Sequence, residues 1–139
     1  MLAYQAACLN KRVKGLVVTT FVDTSSQKVR DQIAPSKLIS RAGKFTLDNF
    51  FFLMDSFRVP VSKVSRMDLI SNNADLTKLI MNDPLAAGTK VSLRFLRTFL
   101  NMKPIVEPEN FNTCPVLLIH PELDSMTPYD LSKSFYNRL

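Results

Sequence analysis

Three side chains capable of acid–base chemistry fall within five residues: His120, Glu122 and Asp124. An imidazole near carboxylates is the raw material of proton transfer. His120 is the only histidine of the chain, so composition alone would make it a general base. Its place at a strand end, four residues before Asp124 and on the same loop, leaves no nucleophile opposite it, and hydrogen bonding within that loop is the expectation. Asp124 carries the stronger signal. The apolar, partly β-branched run Val116 to Ile119 reads as a buried strand, and Pro128 opens a helix beyond it. A carboxylate on a loop just past the C-terminal end of a parallel strand lies where open α/β sheets hold their working residues. The bland alternative is a turn or N-cap aspartate ahead of the helix at Pro128. Glu122 is the rival carboxylate and is expected to face solvent. Cys8 and Cys114 lack metal-ligand spacing and read as small hydrophobes.

The rest of the chain reads as what positions that loop. Residues 1–11, rich in Leu, Ala and Gln, suit a helix. The β-branched run Gly15 to Val22 suits a strand apolar on both faces, as buried parallel strands are. Gln27 to Ala34 suits a short helix stopped by Pro35. The strands at 15–22 and 115–120 are separated by about ninety residues, far more than a βαβ crossover needs. The excess reads as an inserted, mainly helical cap over 35–106, between core α/β segments at 1–34 and 107–139. Within it, a helical run from Phe45 to Phe57 is ended by Pro60. A helix over 73–81 has Asn73 as N-cap. Another, Thr89 to Met102, puts Lys90, Arg94, Arg97 and Asn101 on one stripe. Pro104, Pro108 and Pro115 mark an extended return to the sheet.

A hydrophobic content of 46% supports a core, and the 139 residues fit one domain of ordinary size. No apolar run approaches the ~18 residues of a membrane span. The first nine residues are apolar, but Lys11, Arg12 and Lys14 follow them instead of preceding them, the wrong order for a secretory signal. The expected location is cytoplasmic. The formal charge of +6 is uneven: residues 1–106 hold 16 basic and 7 acidic side chains, and 107–139 hold 2 and 5.

The stretch Pro115-Val-Leu-Leu-Ile-His-Pro-Glu-Leu-Asp-Ser-Met-Thr-Pro128 resembles the last-strand motif of α/β-hydrolases, in which a strand ending His-Gly is followed by the acid of the Ser-Asp-His triad. Pro121 stands where that family usually has glycine. The Asp83-Pro-Leu85 element before a Leu/Phe-rich helix is similar to the cap of monoacylglycerol-lipase-like and lysophospholipase-like hydrolases. The resemblance covers nearly the whole chain. It implies a doubly wound parallel sheet with an inserted helical cap, and it makes Asp124 the triad acid. The other triad members do not match: the nucleophile elbow is Gly-x-Ser-x-Gly, and none of Gly15, Gly43 or Gly88 flanks a serine at that spacing. The triad order puts the histidine after the acid, and His120 precedes it. Met1 to Leu9 looks like the helix that leaves the elbow. The reading is therefore of the part of a serine hydrolase between nucleophile and histidine, inactive alone and partnered by a missing N-terminal half.

The implied activity is hydrolysis of a small-molecule carboxylic ester or lipid through an acyl-enzyme, with no cofactor and no metal. Phe50, Phe51, Phe52, Leu53, Met54, Phe57 and the helix over 91–100, with Phe95 and Phe99, are the candidate wall for an acyl chain, with plain core packing as the alternative, and a membrane-surface contact is compatible with the basic charge. The rival from another class is a non-enzymatic basic helical module binding nucleic acid or anionic lipid. The absent Ser and His favour that rival; the apolar strands and the lack of a compact basic helix weigh against nucleic acid.

Overall fold

The computed structural model describes residues 1–139 apart from the side chain of Phe52. In chain order the elements are α1 (Leu2–Leu9), β1 (Leu16–Val18), α2 (Gln27–Ile33) and α3 (Lys37–Asn49). A 3-10 turn, Phe51–Met54, leads to β2 (Arg58–Pro60), α4 (Val61–Val64) and, after a second such turn at Met67–Leu69, α5 (Ala74–Asn82). Then come β3 (Lys90–Ser92), α6 (Leu93–Leu100), β4 (Val116–Leu118) and α7 (Tyr129–Tyr136). The chain separates into two compact units: Met1–Asp23 with Lys103–Leu139, and the contiguous stretch Thr24–Met102. Helix α2, at the end of the segment 1–34, falls in the second.

The first unit is built on a parallel pair. β1 and β4 run side by side with Leu16 opposite Val116 and Val18 opposite Leu118. One face of the pair packs on an aromatic nucleus. Tyr4 from α1, Phe21 after β1 and Phe135 from α7 are fully or almost fully buried, with Leu16, Val18, Val116 and Leu118 against them. The Phe21 and Phe135 rings stack at 4.7 Å, and Tyr4 meets Phe135 edge-on at 5.2 Å. Each such ring contributes roughly 1.5–3 kcal/mol by leaving water. The nucleus is tied by two polar bonds: Tyr4 donates to the Val106 carbonyl at 2.8 Å, and the buried Ser132 hydroxyl accepts from Phe21 N–H at 2.9 Å. Burial and the Cys8 side chain push the Tyr4 phenol well above its ordinary pKa, so it remains a donor. The opposite face differs from the sequence expectation of strands covered on both sides. Val17 is 66% exposed and Leu117 53% exposed.

The second unit is helical with one small antiparallel ribbon, β2 with β3, in which Val59 opposes Val91. Its helices begin where side chains supply caps. Ser36 accepts from Ile39 N–H, Asn73 from Asp75 and Leu76 N–H, and Ser92 from Phe95 N–H. These caps explain two departures from the sequence reading. The helix expected over 45–57 starts eight residues earlier, because Ser36 caps it after Pro35, and it stops at Phe50. The helix expected over 89–102 starts at Leu93, because Lys90–Ser92 pair with Arg58–Pro60, so Lys90 is not on the Arg94 and Arg97 stripe. The Asp83-Pro-Leu element is a turn in which Asp83 Oδ1 accepts from Leu85 N–H at 2.7 Å. Gly88 closes that turn: a Cβ there would stand 2.7 Å from Pro84 Cα.

Candidate functional site

Asp124 sits on the loop that leaves β4 and enters α7, partly buried. Its side chain is fixed by one residue. Oδ1 accepts from Thr127 N–H at 2.7 Å and Oδ2 from Thr127 Oγ1 at 2.6 Å. A carboxylate has about four lone-pair positions, so this clamp uses two and leaves both oxygens able to accept again. Helix α7 begins with Pro128 at its N-cap position and no side-chain cap bond. The Asp124 carboxylate therefore stabilises the turn ahead of the helix and does not cap it. Held in this way, it can accept an imidazole N–H, fix that ring's tautomer and stabilise its charged form.

His120 is placed differently from the expectation of a bond within its own loop. Its Nδ1 lies 2.9 Å from the Thr19 carbonyl oxygen, just past β1. The carbonyl can only accept, so Nδ1 carries the proton. Nε2 is buried without a partner, and the ring lies tilted against Tyr129 at 5.6 Å. The geometry pins the end of β4 to the end of β1. Glu122 is exposed, as expected, and shares a shallow depression with His120, Tyr129 and Tyr136.

The second unit contains an apolar cavity of about 350 Å³. α3 lines it with Ile39, Gly43 and Leu47, the ribbon with Val59 and Val91, and α6 with Phe95, Leu96 and Phe99. Of the candidate wall residues, Phe51 and, from the 91–100 segment, Val91, Leu93, Phe95, Leu96, Phe99 and Leu100 line this cavity, whereas Leu53 and Phe57 do not. Phe50 lies outside it, edge-on to Phe45 at 6.1 Å, and Met54 is likewise outside and part-exposed. The side chain of Phe52 is outside the described residues. The sequence reading did not single out Arg30, Leu47 or Val59. The i, i+4 spacing of Ile39, Gly43 and Leu47 was the available signal for α3. No comparable signal marks the ribbon, whose two strands are three residues each.

No carboxylate lines the cavity, and its cations are Arg30 and Lys44. Lys44 is spoken for by Asp48 and Asn101. Burial works to raise the Asp48 carboxyl, but the hydrogen bonds from Lys44 and Asn101, with the Arg97 charge, hold it below the usual range. Among the described residues no group of His, Cys, Asp and Glu could hold a metal ion. No helix among them is long and apolar enough to cross a membrane.

A parallel strand pair with one helix before its first strand and another after its second, and an aspartate held on the loop after the second strand, together fit one architecture. The family model described as serine aminopeptidase, S33, matches residues 5–139. No curated protein and no solved structure gives a significant match. The chain belongs to the serine aminopeptidase S33 family, hydrolases of the α/β-hydrolase superfamily.

Proposed function

We propose that this chain supplies the triad acid, Asp124, and the substrate-holding cap of a serine hydrolase that cleaves carboxylic esters with an apolar acyl part. The observation that carries the reading is the Asp124 carboxylate, held at both oxygens by Thr127 on the loop after β4 in a chain of this family. In this scheme Asp124 orients a histidine, which takes the proton of a serine nucleophile as it attacks the ester carbonyl. Serine and histidine come from residues outside these 139, since no serine here has the elbow glycines and His120 is committed to Thr19. The exposed Val17, Leu117 and Ile119 support a further polypeptide segment covering the sheet, because open strand edges and apolar patches invite pairing.

The cavity favours esters over peptides. An aminopeptidase must hold an α-ammonium group, for which a carboxylate is the natural partner, and the wall of this cavity has none. A lipid surface is a fitting source of substrate. Leu38, Phe45, Phe50 and Leu53 are exposed among Lys37 and Arg41, and the unit 24–102 holds 12 basic against 6 acidic residues.

The test is kinetic, on the polypeptide that joins this chain to its nucleophile. p-Nitrophenyl esters of increasing acyl length are expected to be cleaved, and aminoacyl p-nitroanilides not. Asp124→Asn is expected to lower kcat by about 10⁴, following the tautomer argument, while Glu122→Gln changes it less than about twofold. Preference for the anilides would refute the ester reading, and the reverse ranking of the two variants would move the acid to Glu122.

A further inference from the structure

Asp124 is held by a residue that can move in few ways. Thr127 meets Oδ2 with its hydroxyl at 2.6 Å and Oδ1 with its N–H at 2.7 Å. Both distances are those of hydrogen bonds to a charged acceptor. Threonine is β-branched and stiff at χ1, and Pro128 restricts the backbone of the residue before it to the extended region. Pro128 is itself anchored, its carbonyl accepting from Leu131 N–H at 2.9 Å where α7 begins. Leu131, Ser132 and Phe135 of that helix are buried within the first unit. Stiff parts therefore connect the aromatic nucleus, through α7 and Pro128, to both carboxylate oxygens.

The two bonds have different effects. The terminal torsion of an aspartate is broad, because it joins an sp³ to an sp² carbon. The N–H bond alone fixes one oxygen and leaves the carboxylate plane free to turn about it. The hydroxyl bond to the second oxygen removes that freedom. An imidazole N–H is best accepted near the plane of the carboxylate, and misplacing a catalytic group by about 1 Å can cost about a hundredfold in rate. We propose that Thr127 is a positioning residue for the triad acid, its hydroxyl setting the plane in which Asp124 meets the catalytic histidine. This rests on the reading of Asp124 as triad acid given above. A clamp that served only to close the turn would be felt in stability and not in turnover.

The polypeptide that joins this chain to its nucleophile, assayed on a soluble p-nitrophenyl ester, tests the proposal. Thr127→Val keeps the shape and the N–H bond and removes the hydroxyl. It is expected to lower kcat at least about tenfold, the scale of one hydrogen bond to a charged group. KM is expected to change less than about twofold, because in this scheme neither Thr127 nor Asp124 touches substrate. Thr127→Ser puts the hydroxyl back and is expected to return kcat to within about threefold of the native value. In an Asp124→Ala background, Thr127→Val is expected to have no further effect on kcat, since the group it positions is gone. A smaller loss in Thr127→Val overturns the proposal, as does a larger rise in KM, a loss that serine fails to restore, or a loss that adds to that of Asp124→Ala. Should Thr127→Val not fold, Thr127→Ala replaces it with the same expectations. Native kcat in Asp124→Ala removes the triad-acid reading and this proposal together, whereas a crippled Asp124→Ala beside an unaffected Thr127→Val removes this proposal alone.

Discussion

The two units solve the problem of cohesion in opposite ways. The unit formed by 1–23 and 103–139 concentrates its burial in Tyr4, Phe21 and Phe135 and leaves the other sheet face bare. Its 6 basic and 6 acidic residues balance. The unit 24–102 surrounds a cavity, carries the whole net charge of +6, and relies on capped helices and ion pairs. The difference separates two tasks. The proposed triad acid belongs to the unit with the dense aromatic core, while the proposed acyl space is framed by elements whose ends are fixed and whose centre is empty.

Substitutions of decreasing effect test that contrast. Phe135→Ala, in the dense core, is expected to cost about 3–5 kcal/mol, read as the loss of urea midpoint by far-UV circular dichroism. Leu47→Ala faces a cavity where packing contacts are already missing on one side, and is expected at the low end for such changes, about 2 kcal/mol. Equal costs at the two positions would erase the distinction between a filled and a hollow unit. Asn73→Ala removes the cap of α5 and is expected to cost about 1 kcal/mol, with Asn73→Asp restoring most of it.

The smallest effect is a pH dependence. The folded Asp48 carboxyl lies below its ordinary value, burial opposing and the Lys44 and Asn101 bonds prevailing. Its stabilisation is therefore complete above the unfolded pKa, about 3.9, and is lost as pH falls through the lower folded value. Asp48→Asn is expected to be less stable than the native protein by at most about 1 kcal/mol at pH 7. The gap should close on acidification toward pH 2. A gap that persists there would assign the effect to shape and not to charge.

Much of the frame was legible from local chemistry. α1, α2, α5 and α7 announce themselves through Leu/Ala content, through Pro35 and Pro128, and through the Asn73 cap, all within a few residues of the element they define. The pairing of Lys90–Ser92 with Arg58–Pro60 was hidden, because a strand whose partner is thirty residues away borrows its stability from that partner. The Leu93–Leu100 periodicity simply reads on through it. Of the site, the position of Asp124 was legible from the strand and turn around it. The Thr127 clamp follows the Asp-x-x-Thr spacing and went unread, since hydroxyl and amide bond the carboxylate together only in the turn. Much of the cavity wall escaped detection because it draws on seven separate elements, and of the sequence neighbours Phe50 and Phe51 only Phe51 lines it.

The register of β1 with β4 also dictates an order of events. Leu16 meets Val116, one hundred positions later, while Thr24–Met102 is one unbroken stretch. A chain made from its N-terminus completes the inserted unit before the second strand of the pair exists, and distant contacts are repaid only after the loop between them is closed. Nascent chains arrested before Pro115 are expected to resist protease over 24–102 while Tyr4 and Phe21 remain open to attack. Asp124, the acid of the proposed triad, thus finds its place on the loop after β4 only once the inserted unit and its cavity have formed.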